Sequence, residues 1–261
     1  MNRLTKKLSE IKSDNKKALV GYLVAGDPDI ETTVELMKLF SSSGVDIIEI
    51  GVPFTDPIAE GPVIQKAHDR ALKKDISLVS IFQMIEKYRD FDDETPLVLM
   101  GYLNTFIYHK KLIENNQNNA VDSILVVDIP GELNLENYGV KSNNINTISL
   151  ISPTTKKDRV KLIAENSTGF VYYVTLRGVT GSSNLNIDEI KMNIEEIKRY
   201  ATVPTLAGFG IKSIEDAKLL ADCSDGIIIG SSLVQMIEQG SEKKEFDRIG
   251  KYISEIKKAI S

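Results

Sequence analysis

Eight short runs of β-branched and apolar residues, each followed by a segment of helical periodicity, constrain this sequence more than any other feature. Such alternation predicts strand–helix units and a parallel sheet. Eight units within 261 residues, with no break in composition, favour one α/β domain over residues 1–261, a closed (β/α)₈ or TIM barrel. An open doubly wound sheet is the alternative. The predicted strands are Ala18–Val24, Ile47–Ile50, Leu97–Met100, Ser123–Val127, Thr147–Ile151, Phe170–Val174, Thr205–Ala207 and Gly226–Ile229.

Capping residues delimit the predicted helices. Asp29 precedes one helical segment and Gly44 follows it, which are the residue types favoured at helix starts and ends. Ser213 precedes another, with an acid three residues on, close to a capping box. The segment Ile187–Tyr200 carries isoleucines on one face and is predicted to pack on the sheet.

Charge and cysteine content exclude several classes of protein. A net charge of −5 does not favour binding to nucleic acid or to an anionic membrane, and no apolar run reaches membrane-spanning length. Met1–Lys12 is amphipathic and charged and lacks the apolar core of a secretory signal, so we expect an N-terminal helix and a cytoplasmic protein.

The single cysteine, Cys223, is expected to be an inert packing residue. His68 and His109 are expected to be ordinary surface or loop histidines, and no metal-ligand spacing is present.

One predicted strand, Ile47–Ile50, contains a carboxylate where a buried parallel strand should be apolar. An ionised Glu49 in that position costs several kcal/mol unless it is paired or used. The following loop holds two prolines and two further carboxylates, Asp56 and Glu60. We therefore predict a functional site here, with a glutamate paired to a nearby Lys or Arg as the alternative.

Three glycine-centred turns follow the last three predicted strands: Gly178–Gly181, Gly208–Ile211 and Gly230–Ser232. Glycine lets backbone N–H groups approach an anion closely, and the third turn opens a helix whose dipole favours negative charge. In barrel enzymes the loops after strands seven and eight commonly hold a phosphate. The turns predict a phosphate site.

Motifs along nearly the whole chain resemble the α subunit of tryptophan synthase. The resemblance is carried by EIGVPFTDPIAEGPVIQ, GDP, MGYLN, VVDIP, GVTG, GFGI and GSSLV, which begin at Glu49, Gly26, Met100, Val126, Gly178, Gly208 and Gly230. It implies a barrel that cleaves indole-3-glycerol phosphate to indole and glyceraldehyde 3-phosphate. It also implies an αββα heterotetramer in which the β subunit carries pyridoxal phosphate, while this chain needs no cofactor or metal.

The resemblance also assigns roles to individual residues. It implies a catalytic Glu49, a Tyr172 beside it, and a Glu60 that accepts the indole N–H. The remaining matches are Gly181, Phe209, Gly210, Gly230 and Ser231 at the phosphate, Tyr22, Met100, Leu125 and Val127 around the indole, Asp56 and Thr180 in loop closure, and Pro53, Asn104 and Pro130 facing the β subunit.

Two positions depart from the family pattern. Glu60 replaces an aspartate and adds one methylene, about 1.5 Å of bond length, and Tyr22 replaces a frequent phenylalanine and adds a hydroxyl that needs a partner. The alternative is thus a weakly catalytic α subunit kept mainly as an allosteric and channelling partner.

A related phosphate-binding barrel, such as an aldolase or isomerase, is a third hypothesis. Schiff-base chemistry would need an inward lysine that the predicted strand ends lack. Arg177, before GVTG, is expected to point to solvent.

Overall fold

Eight parallel strands close into a barrel in which each strand pairs with the next and the last pairs with the first. The computed structural model describes residues 2–116, 120–142, 144–175, 186–208, 210–211, 213–241 and 245–261. Closure confirms the predicted barrel and excludes the open sheet. The strands are β1 Ala18–Val24, β2 Ile47–Gly51, β3 Leu97–Gly101, β4 Ser123–Val126, β5 Asn146–Ile151, β6 Val171–Val174, β7 Thr205–Gly208 and β8 Gly226–Ile229.

Helices surround the barrel. Their amphipathic patterns place isoleucine, leucine and valine side chains against the outer face of the strands. The described helices are α1 Arg3–Ser13, α2 Ile30–Ser43, α3 Pro62–Leu72, α4 Leu78–Arg89, α5 Leu103–Tyr108, α6 Lys110–Asn115, α7 Lys157–Asn166, α8 Ile187–Lys198, α9 Ile214–Cys223, α10 Ser231–Ser241 and α11 Asp247–Ile260. A short 3₁₀ helix, Leu135–Tyr138, lies between β4 and β5.

The predicted caps are present. Asp29 Oδ1 accepts the Thr32 N–H at 2.7 Å, and Gly44 ends α2 with a left-handed φ of 109°. Ser213 Oγ accepts the Asp216 N–H at 3.1 Å. These bonds satisfy backbone groups that the first and last turns of a helix leave unpaired.

The amphipathic helix α1 closes the end of the barrel at which the strands begin. Leu4, Leu8 and Ile11 are buried in one cluster with inward side chains of the strands. Asn2 Nδ2 donates to the main-chain oxygen of Asp122, directly before β4, at 2.6 Å. The opposite end, where the strands finish, is left for the functional site. Within the described ranges, no helix is long and apolar enough to cross a membrane.

The carboxylate of Asp122 joins three elements at the closed end. Its Oδ2 accepts bonds from Arg89 at 2.9 Å and from the Leu97 N–H at 2.9 Å, and its Oδ1 lies 3.3 Å from Arg3. Asp122 is buried, and a buried carboxylate is tolerated when it is paired and hydrogen-bonded in this way.

Candidate active site

A cavity opens at the end of the barrel where the strands finish. Its empty volume is about 540 Å³, including the opening to solvent. The residues that line it come from β1, β2, β3, β6 and β8, from the turns that follow β2, β7 and β8, and from the first turns of α3 and α10. They are Tyr22, Glu49, Ala59, Glu60, Ile64, Met100, Tyr172, Gly210, Ile211, Ile228, Gly230 and Ser231.

Strand alternation points Glu49 into this cavity. Ile48 and Ile50 pack outward under the helices, whereas Ile47 belongs to the interior cluster, so Glu49 shares the inward face of β2. Glu49 is 1% exposed, and its Oε1 has no hydrogen-bond partner among the described residues. Among the described residues no lysine or arginine forms a salt bridge with Glu49, so this part of the chain does not supply the partner of the alternative prediction.

Burial sets the protonation state of Glu49. Desolvation first, and the neighbouring Glu60 second, raise the pKa of this carboxyl to about 8. The side chain therefore carries a proton at neutral pH. A carboxyl with a pKa near the working pH can both give and accept a proton.

Tyr102, to which the sequence analysis gave no role, holds the side chain of Glu60. The Tyr102 hydroxyl donates to Glu60 Oε2 and accepts the Ala59 N–H at 3.1 Å. Its ring stacks on Phe54 with centroids 4.4 Å apart. Burial raises the pKa of Glu60, while the bond from Tyr102 opposes that shift. The only sequence signal was the position of Tyr102 in the motif that follows β3.

Two tyrosines flank the carboxyls. Tyr172 points inward from β6, and its hydroxyl lies over Gly208, where an added Cβ atom would approach it to 2.7 Å. Its neighbour Tyr173 points outward and accepts a bond from Asn193 at 2.9 Å. Tyr22 lies opposite Glu49 in the register of β1 and β2. Burial raises the pKa of both Tyr22 and Tyr172, so each hydroxyl keeps its proton.

The turns after β7 and β8 form the other side of the cavity. Gly210, with a left-handed φ of 73°, Gly230 and Ser231 all line it, and α10 begins at Ser231. Ser232 Oγ donates to the Ile211 carbonyl at 2.9 Å and joins the two turns. A helix N-terminus beside glycine turns is a suitable anion site. The predictions for Gly181, Phe209, Thr180 and Arg177 lie outside the described residues.

The predicted indole wall is brought together only in part. Tyr22 and Met100 line the cavity. Leu125 is fully buried in the interior cluster, in register with Met100, and Val127 packs against the same cluster. Neither is among the lining residues.

The residues predicted to face the β subunit, and Asp56, predicted to take part in loop closure, differ in exposure. Asn104, Pro130 and Asp56 are exposed. Pro53 is buried, which does not fit the prediction that it faces a partner directly. Near them, Ile58 and Tyr108 are large apolar side chains with 75% and 82% of their surface exposed.

His68 is not the surface or loop residue predicted from the sequence. It is 1% exposed on α3, and its Nδ1 accepts the Phe54 N–H at 3.0 Å. Desolvation lowers its pKa to about 4, so the imidazole is neutral and ties α3 to the loop after β2. His109 lies half-buried between α5 and α6. The described residues contain no group of three or more His, Cys, Asp and Glu arranged for a metal ion.

The turn after β1 is fixed by an ion-pair network that the sequence analysis missed. Arg70 on α3 makes two bonds to the buried Asp27, at 2.7 and 2.8 Å, and one to Glu238 on α10 at 2.7 Å. The bidentate geometry connects three elements around the cavity.

Comparison with known proteins agrees with this geometry. The family model for the tryptophan synthase alpha chain matches residues 8–261. The tryptophan synthase alpha chain of Nitrosomonas europaea is 40% identical over 264 residues, covering 100% of this chain and 96% of the relative. That of Neisseria meningitidis serogroup B is 43% identical over 250 residues, covering 95% of each.

Solved structures are similar over the same length. The crystal structure of tryptophan synthase subunit alpha from Legionella pneumophila strain Paris has a TM-score of 0.89 at 38% identity, with 100% of this chain and 98% of that chain covered. A chain from the tryptophan synthase a2b2 complex of the hyperthermophile Pyrococcus furiosus has a TM-score of 0.82 at 33% identity, covering 92% and 98%.

Proposed function

This chain belongs to the tryptophan synthase alpha chain family, and on that premise we propose how its cavity carries out the family's reaction. The protein is a lyase that cleaves indole-3-glycerol phosphate to indole and glyceraldehyde 3-phosphate. The observation that carries the proposal is the buried Glu49, with its pKa raised to about 8, in a cavity that Glu60 and the Gly230–Ser231 turn also line.

The cleavage needs two proton transfers at neighbouring positions of the substrate. Glu49 first gives its proton to the ring carbon that bears the side chain, and the ring becomes a cation. The resulting carboxylate then removes the proton of the glycerol hydroxyl on the carbon attached to the ring. The electrons of the O–H bond form the aldehyde carbonyl, and those of the broken C–C bond restore the indole ring. Glu49 thus ends each cycle protonated.

Glu60 accepts the indole N–H and stabilises the ring cation. The phosphate binds to the backbone of the turns at Gly210 and Gly230 and to Ser231, where the N-terminus of α10 favours an anion. The ring lies against Met100 and Tyr172. The bond from Tyr102 fixes the longer side chain of Glu60, which supports a working enzyme. No observation on the described residues favours a subunit retained only as a partner.

The chain acts with a β subunit. A similar protein is part of the a2b2 complex of Pyrococcus furiosus, and we extend an αββα assembly to this chain. Exposed Asn104, Ile58 and Tyr108 lie on or next to the loops at the open end of the barrel, where indole would leave toward the partner. Pyridoxal phosphate belongs to that partner, while carboxyl groups of this chain supply its own proton transfers. A single cysteine suits the reducing cytoplasm in which we place the complex.

The roles of Glu49 are tested with Glu49→Gln and Glu49→Asp. We expect both to abolish cleavage of indole-3-glycerol phosphate, alone and with β subunit, because the amide cannot transfer the proton and the shorter acid cannot reach it. Binding of glyceraldehyde 3-phosphate, measured by calorimetry, should persist. Glu132→Gln, which removes a partly exposed carboxylate paired with Arg159, is the matched control and should retain activity.

The outcomes test separately the catalytic role of Glu49 and the activity of the protein as an enzyme. Substantial turnover by Glu49→Gln would refute the role of Glu49. A wild-type protein that is inactive both alone and with β subunit, yet stimulates the β subunit with serine and indole, would establish the partner-only alternative.

A further inference from the structure

The hydroxyl group of Tyr22 lies in the active-site cavity without a hydrogen-bond partner among the described residues. Glu49 Oε1, in the same cavity, is a second buried polar atom without a partner there. Buried polar atoms of this kind are rare, since each costs about 1–3 kcal/mol when it stays unsatisfied. The Tyr22 hydroxyl and Glu49 Oε1 lie on neighbouring strands. Their positions indicate that one group of the ligand bonds to both atoms when the cavity is filled.

The Tyr22 side chain extends from the phosphate turn to the strand that carries Glu49. A Cβ atom added to Gly230 would lie 3.5 Å from Tyr22 Cδ1, and one added to Gly51 would overlap the Tyr22 hydroxyl. Gly51 follows Glu49 by two residues on the same inward face of β2. The hydroxyl therefore lies over β2 at the inward position that follows Glu49, and the ring lies beside the phosphate turn. The substrate segment that joins phosphate to indole, the glycerol chain, passes between these points.

The two unpartnered atoms have complementary hydrogen-bonding capacity. Burial, with the charges of Glu60 and Glu49, keeps the pKa of Tyr22 well above its usual value, so its hydroxyl stays neutral and keeps a proton to donate. Once Glu49 has given up its proton, its oxygen is an acceptor. An alcohol can donate to one group and accept from another at the same time.

We propose that Tyr22 donates a hydrogen bond to the glycerol hydroxyl of the substrate whose proton Glu49 removes. The inference rests on the proposed function and adds a residue to it. The Tyr22 proton is not transferred. The hydrogen bond from Tyr22 orients the substrate hydroxyl. It also stabilises the negative charge that develops on the substrate oxygen until the aldehyde forms. The phenylalanine frequent at this position in the family supplies the ring without the donor.

The test compares two ligands on Tyr22→Phe in the full-length chain. For indole-3-glycerol phosphate we expect kcat/KM to fall about tenfold, the loss typical of one hydrogen bond to a group that gains charge. The second ligand is 3-(indol-3-yl)propyl phosphate, which keeps the ring and phosphate but lacks both glycerol hydroxyls. Its Kd, measured by calorimetry, should be unchanged. Tyr173→Phe removes an outward hydroxyl from β6 and should change neither value.

Two results would overturn the inference, and a third would overturn the proposed function on which it rests. An equal loss for both ligands would show that Tyr22 acts through packing. An unchanged kcat/KM in Tyr22→Phe, with wild-type cleavage intact, would show that the hydroxyl is unused while leaving the role of Glu49 in place. Absence of cleavage by the wild type would instead defeat the proposed function itself.

Discussion

Replacing Glu49 by glutamine should stabilise the protein at neutral and alkaline pH while it abolishes cleavage. The pKa of Glu49 is about 8 in the folded chain against 4.5 for an unperturbed glutamate. Between these values the folded state binds a proton that the unfolded state has lost, so the free energy of unfolding falls as pH rises, by about 1.4 kcal/mol per pH unit. The whole difference corresponds to about 5 kcal/mol, a large part of the stability of an ordinary domain.

The measurement is urea unfolding of wild type and Glu49→Gln at pH 5, 6, 7 and 8. The stability of the variant relative to wild type should grow by about 3–5 kcal/mol across this range and level off above pH 8. Burial raises the pKa of Glu60 in both proteins, so the titration of Glu60 itself largely cancels in the comparison.

A partly exposed acid, Glu132, provides the control for this series. Arg159 lowers the pKa of Glu132, so Glu132→Gln should follow the wild-type curve throughout the same range. Parallel curves for wild type and Glu49→Gln would refute the reasoning, since they would mean that Glu49 is already ionised at pH 5 in the folded protein.

Three further substitutions test the site and its scaffold. Glu60→Asp withdraws the carboxylate by about 1.5 Å from Tyr102, so steady-state assays should show kcat lowered by about tenfold to a hundredfold; an equal or faster rate would contradict a cavity adapted to glutamate. Arg89→Met leaves the buried Asp122 with a weaker partner and should lower the free energy of unfolding by about 3–5 kcal/mol in urea, with the substrate KM unchanged. Leu4→Ala should cost about 2–5 kcal/mol, because this side chain fills the closed end of the barrel; a loss below 1 kcal/mol would mean that α1 contributes little there.

The barrel could be predicted because its signals are local. Each strand is a short apolar run, and the predicted bounds agree with the structure to within a residue, as for Ile47–Gly51 and Thr205–Gly208. The capping residues Asp29 and Ser213 act on N–H groups three residues away. Eight such units in a row leave few ways to bury every strand on both faces.

The contacts that shape the site are not local, and the sequence could not supply them. Tyr102 and Glu60 are 42 residues apart in the sequence. They meet because β3 pairs with β2 in the barrel and the loop after β2, which carries Glu60, reaches the end of β3. The prediction of a surface or loop His68 rests only on what is usual for an isolated histidine outside any metal-ligand spacing. Its burial follows from the position of α3 against the loop after β2, which no local pattern encodes.

Two acids, Glu49 and Glu60, line the described part of the cavity, and no lysine, arginine or histidine lines it there. A lysine or arginine beside Glu49 would lower its pKa and remove the proton needed for the first step. Among the described residues, the charged neighbour that acts on Glu49 is Glu60, which raises that pKa further. When the proton moves to the indole ring, Glu49 becomes a carboxylate and the ring becomes a cation that faces both acids. The pair therefore opposes charge on Glu49 before the transfer and stabilises the charge on the ring after it, and this difference between the two states is what lowers a barrier.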